Sequence, residues 1–264
     1  KTVPITIGAP MSGTYTVGGG GNFTTLTDAI NAYNTLCIGG PIVFSLIDNN
    51  YNSAETFPLY INSNAYASST NTLTIKPAAG KTVAISGNSK TGVFVFKGAD
   101  YVTIDGSNVS NGTSRNLTIT NTNTVTDTSM VIYFMAPNAS DGATHNTIKN
   151  SILSGTGGTV TWCGVFGGGT DPFDIPLTGN VYNTLFNNKI IKAMTGIALV
   201  GPDGNELKNV IDSNEVGSRI TSEVLGFSGI ELYQQASAQV SRNSIRRISS
   251  TSSSTDAYGI FVVG

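Results

Sequence analysis

The sequence is poor in charged residues, in cysteine and in histidine. Asp, Glu, Lys and Arg make up 11% of its 264 residues, against a typical value of about 25%, and the formal net charge is -2. This balance provides no basic surface for nucleic acid, so no nucleic-acid partner is expected. No apolar run approaches the roughly 18 residues of a membrane-spanning helix, so membrane insertion is not expected either.

The second half of the chain, Thr144–Gly264, consists of two alternating short phrases. The Asn-marked phrase has the form apolar-x-x-Asn-x-apolar, and it occurs at Leu185–Ile190, Ile211–Val216 and Val240–Ile245, with a Ser variant at Ile148–Leu153. The Gly-marked phrase begins at Gly164, Gly196, Gly229 and Gly259, with spacings of 32, 33 and 30 residues. Spacing this regular indicates a repeat protein.

Each repeat unit contains short β-branched runs broken by Asn, Gly, Ser and Asp, and no apolar pattern of helical period. Coils of two or three short strands, stacked about 4.8 Å apart, bury their inward residues against the same column of the next coil. The repeats therefore predict a parallel β-helix. Asn and Gly are expected at its corners because both tolerate a left-handed backbone, and the short amide of Asn can also bond the local main chain.

The phrases Tyr15–Gly20 and Gly98–Gly106, together with the Asn-x-Ile phrases, resemble the right-handed β-helix regions of large secreted surface proteins of Bacteroidetes. These regions belong to the pectin-lyase-like superfamily. The resemblance covers nearly the whole chain and consists of scaffold motifs. It implies an all-β, right-handed parallel β-helix and a secreted or cell-surface location. Because the repeats are continuous, one domain over residues 1–264 is expected.

Residues 1–41 predict a leading strand, a tight turn at Gly18–Gly21 and one capping helix. Thr24 or Thr25 can cap this helix, which is expected to end near Gly39–Pro41. Its apolar face consists of Leu26, Ala29, Ile30 and Tyr33. The helix should cover the N-terminal end of the coils, where a core and a strand edge would otherwise be exposed.

Stacked coils are expected over residues 42–264. The sequence stops inside a repeat phrase without a cap, so the coils are expected to continue in a longer protein. The helix phrase Gly21–Ile30 is also similar to the opening of pectin methylesterases. The Gln, Asp and Arg motifs that carry the chemistry of that family have no match further along, so no catalytic residue is carried over.

The Gly-marked strands predict a column of outward side chains. If the first apolar residue of each phrase points inward, the next residue points outward from the same sheet. The predicted outward residues are Phe94, Tyr133, Phe166, Ala198, Glu231 and Phe261. Exposed aromatic side chains in such a column would suit the apolar faces of sugar rings. Covered by inserted loops, they would instead form a satellite core.

A glycan platform is predicted where this column meets the long loop Gly167–Tyr182. Trp162, the only tryptophan, lies beside the loop, and Phe173 lies within it. The predicted ligand-binding residues are Trp162, Phe166, Phe173, Tyr133 and Glu231.

Metal binding and catalysis have weaker sequence signals. The loop carboxylates Asp171 and Asp174 are candidate calcium ligands, although such pairs also cap or solvate turns. No cofactor is expected otherwise. His145, the only histidine, opens a corner phrase and is interpreted as a solvated turn residue. No paired acids are evident, so no catalytic residue is predicted.

The two cysteines, Cys37 and Cys163, are far apart in the sequence. A disulfide requires Cα atoms about 4.4–6.8 Å apart, and distant coils of a solenoid seldom bring residues so close. Buried free thiols are expected, with a disulfide as the alternative.

Three functions remain open from the sequence. The first is a non-catalytic adhesive or stalk segment of a secreted or surface protein that binds glycans through an outward strand face. The second is a polysaccharide lyase or glycoside hydrolase acting on acidic or plant polysaccharide. The third is a purely structural spacer. Convergent carboxylates with Arg or Lys on the loop face would favour the enzyme, whereas aromatics and amides would favour binding.

Overall fold

The computed structural model describes residues 9–126, 128–172, 175–202, 207–249 and 256–264. These ranges contain one α-helix, α1 (Leu26–Thr35), and 22 strands. The strands are β1 (Met11–Val17), β2 (Ile38–Leu46), β3 (Asn50–Tyr51), β4 (Leu59–Asn62), β5 (Leu73–Pro77), β6 (Val83–Gly87), β7 (Gly92–Lys97), β8 (Val102–Asp105), β9 (Leu117–Asn121), β10 (Met130–Met135), β11 (Thr147–Lys149), β12 (Ser151–Ser154), β13 (Cys163–Gly168), β14 (Thr184–Phe186), β15 (Lys189–Ile191), β16 (Thr195–Val200), β17 (Val210–Asp212), β18 (Glu215–Gly217), β19 (Ser228–Tyr233), β20 (Gln239–Ser241), β21 (Ser244–Arg246) and β22 (Tyr258–Val263).

The strands form three parallel sheets. Sheet A has the order β1-β2-β5-β8-β11-β14-β17-β20, sheet B has β3-β6-β9-β12-β15-β18-β21, and sheet C has β4-β7-β10-β13-β16-β19-β22. From β2 onward the described chain visits sheets A, B and C in turn, which makes seven coils of three strands each. The predicted parallel β-helix with one N-terminal helix is therefore confirmed.

The core consists of inward columns that run from coil to coil. In sheet A the column is Phe44, Ile75, Ile104, Ile148, Leu185 and Ile211. In sheet B it is Tyr51, Ile85, Ile119, Leu153, Ile190 and Val216. All twelve side chains are buried and belong to one apolar cluster. Parallel, in-register pairing produces this arrangement because equivalent residues of successive coils face the same way.

Helix α1 joins this core at its N-terminal end. The helix is capped by Thr25, whose Oγ1 accepts a hydrogen bond from Asp28 N at 3.0 Å. Glu55 of the first coil accepts hydrogen bonds from the N–H groups of Leu26 and Thr27, at 2.9 and 2.7 Å. The predicted apolar face is buried. The negative charge of Glu55 also interacts favourably with the helix dipole at this N-terminal end. Glu55 therefore links the helix to the first coil.

The helix ends earlier than predicted. Leu36 already has an extended backbone, and Ile38 begins β2, so Gly39–Pro41 lies inside a strand. The glycine turn at Gly18–Gly21 is present, with Gly21 N donating to Gly18 O at 2.9 Å. No helix in the described ranges is long and apolar enough to cross a membrane.

Asparagines connect successive coils at two corners, and all of them are buried except Asn243, which is half-buried. One ladder, before sheet A, contains Asn146, Asn183 and Asn209; the other, between sheets A and B, contains Asn188, Asn214 and Asn243. Asn188 Oδ1 accepts from Ser151 N at 3.1 Å, and its Nδ2 donates to Ile148 O at 2.8 Å. Its own N–H donates to Asn214 Oδ1 at 2.9 Å. The ladder therefore satisfies backbone groups that the corner would leave buried and unpaired.

The expected left-handed backbone at these corners belongs to the residue before each ladder asparagine. At the second ladder φ is 51° at Asn187, 58° at Ser213 and 54° at Arg242. The prediction that the marked asparagine itself is left-handed was wrong. Its side chain must reach the backbone of the preceding coil, and the left-handed neighbour makes the turn.

Three of the four Gly-marked glycines, Gly164, Gly196 and Gly229, are required for space and not for a left-handed backbone. A Cβ on Gly164 would lie 2.7 Å from Gly196 O, and one on Gly196 would lie 2.6 Å from Gly229 O. Each of these glycines therefore lets its coil approach the backbone of the next coil. Any larger residue would push the two coils apart at the start of sheet C.

Replacing Asn188 with alanine should destabilise the fold. The change leaves a buried N–H and a buried carbonyl of the preceding coil without partners, which costs about 1–3 kcal/mol. The free energy of unfolding in urea measures this loss. Asn138→Ala is the matched control, because Asn138 is exposed and bonds only within its own turn. An equal effect of the two substitutions would contradict a structural role for the ladder.

The ion pair of Asp212 and Arg242 should make stability depend on acid pH. The side-chain hydrogen bond from Arg242 lowers the pKa of Asp212 to about 2. The ionised carboxylate therefore stabilises the fold above its ordinary pKa near 4, and this contribution is lost as the pH falls towards 2. Thermal midpoints of wild type and Asp212→Asn should converge over that window. Parallel profiles would show that the pair contributes nothing.

Candidate functional site

The outward face of sheet C carries the column that the sequence predicted, with one change. The residues in register are Tyr60, Val95, Tyr133, Phe166, Ala198, Glu231 and Phe261. Phe94 was predicted to point outward, but it pairs with Ile132 and lies in the core. Residues 93 to 96 alternate Val and Phe, so both faces are apolar and the pattern cannot fix the register.

Two aromatics of this column, Tyr133 and Phe166, are covered. Each is 1% exposed, and their ring centroids are 5.3 Å apart. They pack with Val95, Met130 and Cys163 in a second apolar cluster outside the coils. The hydroxyl of Tyr133 donates a hydrogen bond to the carbonyl of Gly169 in the loop after β13. Tyr133 is therefore a packing residue beneath this loop.

A cavity of about 430 Å³ opens beside this cluster, within the usual size range of ligand pockets of about 300–1,000 Å³. Its walls come from the last four strands of sheet C and from the loop after β13. They consist of Trp162, Phe166, Pro172, Ile175, Ala198, Val200, Tyr233, Gln234 and Val263. The Trp162 ring is half-buried and lies 4.9 Å from the Phe166 ring, centroid to centroid. The structure thus brings these two predicted residues to one wall.

The structure does not place the other predicted residues of this loop at the cavity. Phe173 and Asp174 fall outside the described residues. Asp171 lines a neighbouring, more polar cavity of about 630 Å³ together with Asn138 and Thr170. In the described ranges no three His, Cys, Asp or Glu side chains are grouped as a metal site would need.

Glu231 is not among the lining residues but is paired in register with the wall residue Ala198, on the same outward face, and is 7% exposed. Its Oε1 accepts hydrogen bonds from Thr195 Oγ1 at 3.0 Å and from Ser228 Oγ. Its Oε2 accepts one from the hydroxyl of Tyr233 at 3.2 Å. Burial and the neighbouring carboxylate raise the pKa of Tyr233 to about 12. Three hydroxyls therefore hold the Glu231 carboxylate.

Sequence reasoning missed Tyr233, Val200 and Gln234. Tyr233 follows Glu231 by two positions in the same strand, so period-2 alternation could have placed both on the outward face. Val200 stands in the same relation to Ala198 in β16. The sequence offers no comparable signal for Gln234. This residue lies at the corner after β19, where its backbone is left-handed with φ of 51°.

His145 does not line this cavity and lies at the exposed, left-handed corner before β11, in the same coil as β13. Its ring stacks between those of Tyr101 and Tyr182, with centroid distances of 4.7 Å on both sides. The neighbouring rings cover both faces of the imidazole. His145 therefore offers only the edge of its ring to solvent.

The two cysteines are free, and only Cys163 is buried, whereas Cys37 is half-buried. Burial, with a smaller contribution from the charge of Glu231, raises the pKa of the Cys163 thiol well above its ordinary value. The thiolate is the reactive form, so Cys163 is an inert packing residue.

Comparisons with known proteins give only distant matches. No protein-family model matches the chain, and a comparison with curated proteins gives no match. Among solved structures, the pectin methylesterase of Aspergillus niger matches in a deglycosylated form with a TM-score of 0.42, and in a form that retains one N-acetylglucosamine stub with a TM-score of 0.46. In both cases the identity is 13%, over 95% of this chain and 91% of the esterase chain. Likeness at this level carries no argument about activity.

The thiols should react very differently in the native protein. A thiol reagent such as Ellman's reagent should modify Cys37 in the native protein, and Cys163 only after denaturation. The Cys37→Ser variant should therefore show no fast-reacting thiol before denaturation. Rapid native labelling of Cys163 in this variant would contradict its burial. Failure of either thiol to react after denaturation without reductant would indicate a disulfide.

Proposed function

We propose that the protein is a non-catalytic β-helix that binds a saccharide in the cavity on the outward face of sheet C. The observation that carries the proposal is the cavity itself, with Trp162, Phe166 and Tyr233 in its walls. Aromatic walls suit the apolar C–H faces of sugar rings, while the polar tips of Trp and Tyr can orient the hydroxyl groups. Binding of this kind agrees with an adhesive or stalk role.

The state of Glu231 favours binding over hydrolysis. A glycosidase requires an acid or a nucleophile that reaches the glycosidic bond. The Glu231 carboxylate is 7% exposed, and three hydroxyls already occupy its oxygens. It therefore holds the Tyr233 hydroxyl from the same face of β19. A lyase or hydrolase acting on polysaccharide remains the alternative outcome of the experiment.

We further propose that the chain is one domain of a secreted or cell-surface protein. A single apolar cluster that contains residues from Met11 to Leu232 supports one domain. The scaffold phrases that resemble those of bacterial surface proteins support the location.

Native electrophoresis through gels that contain individual polysaccharides tests the binding function. At least one polymer should retard the protein, and staining of the embedded polymer should show no cleavage. Trp162→Ala should weaken the retardation about tenfold or more, because it removes an aromatic contact from the wall of the site.

Tyr60→Ala is the matched control, because Tyr60 is 39% exposed in the same outward column but lies at the other end of the coils. This variant should migrate as wild type does. Clearing of the polymer would overturn the non-catalytic function in favour of the enzyme. If none of a broad panel of polymers retards the protein, the structural spacer becomes the better account.

A further inference from the structure

We propose that this cavity selects saccharide units that donate hydrogen bonds and carry no negative charge, and that it excludes uronates. The inference rests on the proposed function and names its ligand class. It concerns the polar atoms and charges at the cavity wall, whereas the binding function itself rests on the aromatic side chains.

The Tyr233 hydroxyl at the wall is oriented to accept a hydrogen bond from a ligand. The hydroxyl proton of Tyr233 points to Glu231 Oε2, 3.2 Å away, so towards a ligand this oxygen offers only lone pairs. The high pKa of Tyr233 does not change this geometry, since the hydroxyl stays protonated throughout the physiological range. Gln234 lines the same cavity, but its Oε1 is itself buried. A sugar hydroxyl group is a donor that complements the Tyr233 oxygen.

The charges around the cavity are negative. Glu231 lies beside the wall residue Ala198, in the next coil on the same face of sheet C, and Asp171 lines the adjoining cavity. Among the described residues, neither cavity is lined by lysine or arginine, and residues 169–178 of the covering loop contain neither in sequence. A uronate carboxylate in this site would lose water and face a like charge without a cation to balance it. Hydroxymethyl groups at the same position would meet neither cost.

Carboxyl reduction provides matched polymers for the test. Polygalacturonate, alginate and hyaluronate are each compared with the same polymer after its carboxyl groups have been reduced to hydroxymethyl groups. Neutral glucan, mannan and galactan complete the panel. Dissociation constants come from affinity electrophoresis or calorimetry at an ionic strength of about 20 mM, where charge effects are strong.

The polymers that bind should be neutral, and an acidic polymer should bind on the order of tenfold more weakly than its reduced form, or not at all. Equal or tighter binding of an acidic form would overturn the selectivity and leave the binding function intact. If no polymer of either kind binds, both the selectivity and the binding function are wrong.

The charge of Glu231 is tested by Glu231→Gln. In this variant the preference for the reduced polymer should shrink several-fold, whereas Glu223→Gln, which alters an acid paired with Lys189 at 2.6 Å, should keep it. An unchanged preference in folded Glu231→Gln would contradict an electrostatic origin.

A second measurement keeps the test independent of that variant. In wild type, raising the salt to about 0.5 M should strengthen the binding of the acidic polymer relative to the reduced one, because salt screens the repulsion. A preference that does not change with salt would also contradict exclusion by charge.

Discussion

The stacking of coils depends on satisfying the backbone where the chain turns inside the protein. Two ladders of asparagine do this, since each amide accepts from an N–H group and donates to a carbonyl of the preceding coil, as at Asn188. A corner held in this way fixes the distance and the register between coils. The inward columns of sheets A and B can then align, and the core becomes continuous.

The same register gives sheet C its second face. Because successive coils align residue for residue, the outward side chains also stack, from Tyr133 to Phe166 and on to Ala198 and Glu231. The loop after β13 covers the first two and leaves the later coils open. The cavity is thus a consequence of a regular scaffold combined with one irregular loop, which is a common origin of binding sites on repeat proteins.

Glu231 illustrates how a buried charge can act through a neighbouring side chain. Removing a carboxylate from water is costly unless hydrogen bonds compensate for it, and Thr195, Ser228 and Tyr233 provide three. In return, the carboxylate fixes the direction of the Tyr233 hydroxyl. The residue that contacts a ligand and the residue that determines its hydrogen-bonding role are therefore different.

The sequence by itself determined the repeat, the coil architecture and the helix cap, because these follow from local periodicity and from turn residues. It also identified Trp162 and Phe166, which the structure brings to the cavity wall. Only the tertiary structure decided that Phe94 faces inward and that Tyr133 is covered. Strand alternation cannot assign side chains to the inward or outward face where both faces are apolar. Whether an outward side chain is covered depends on how a distant loop packs. Gln234 and the cavity belong to this second class, because they exist only where separate coils meet.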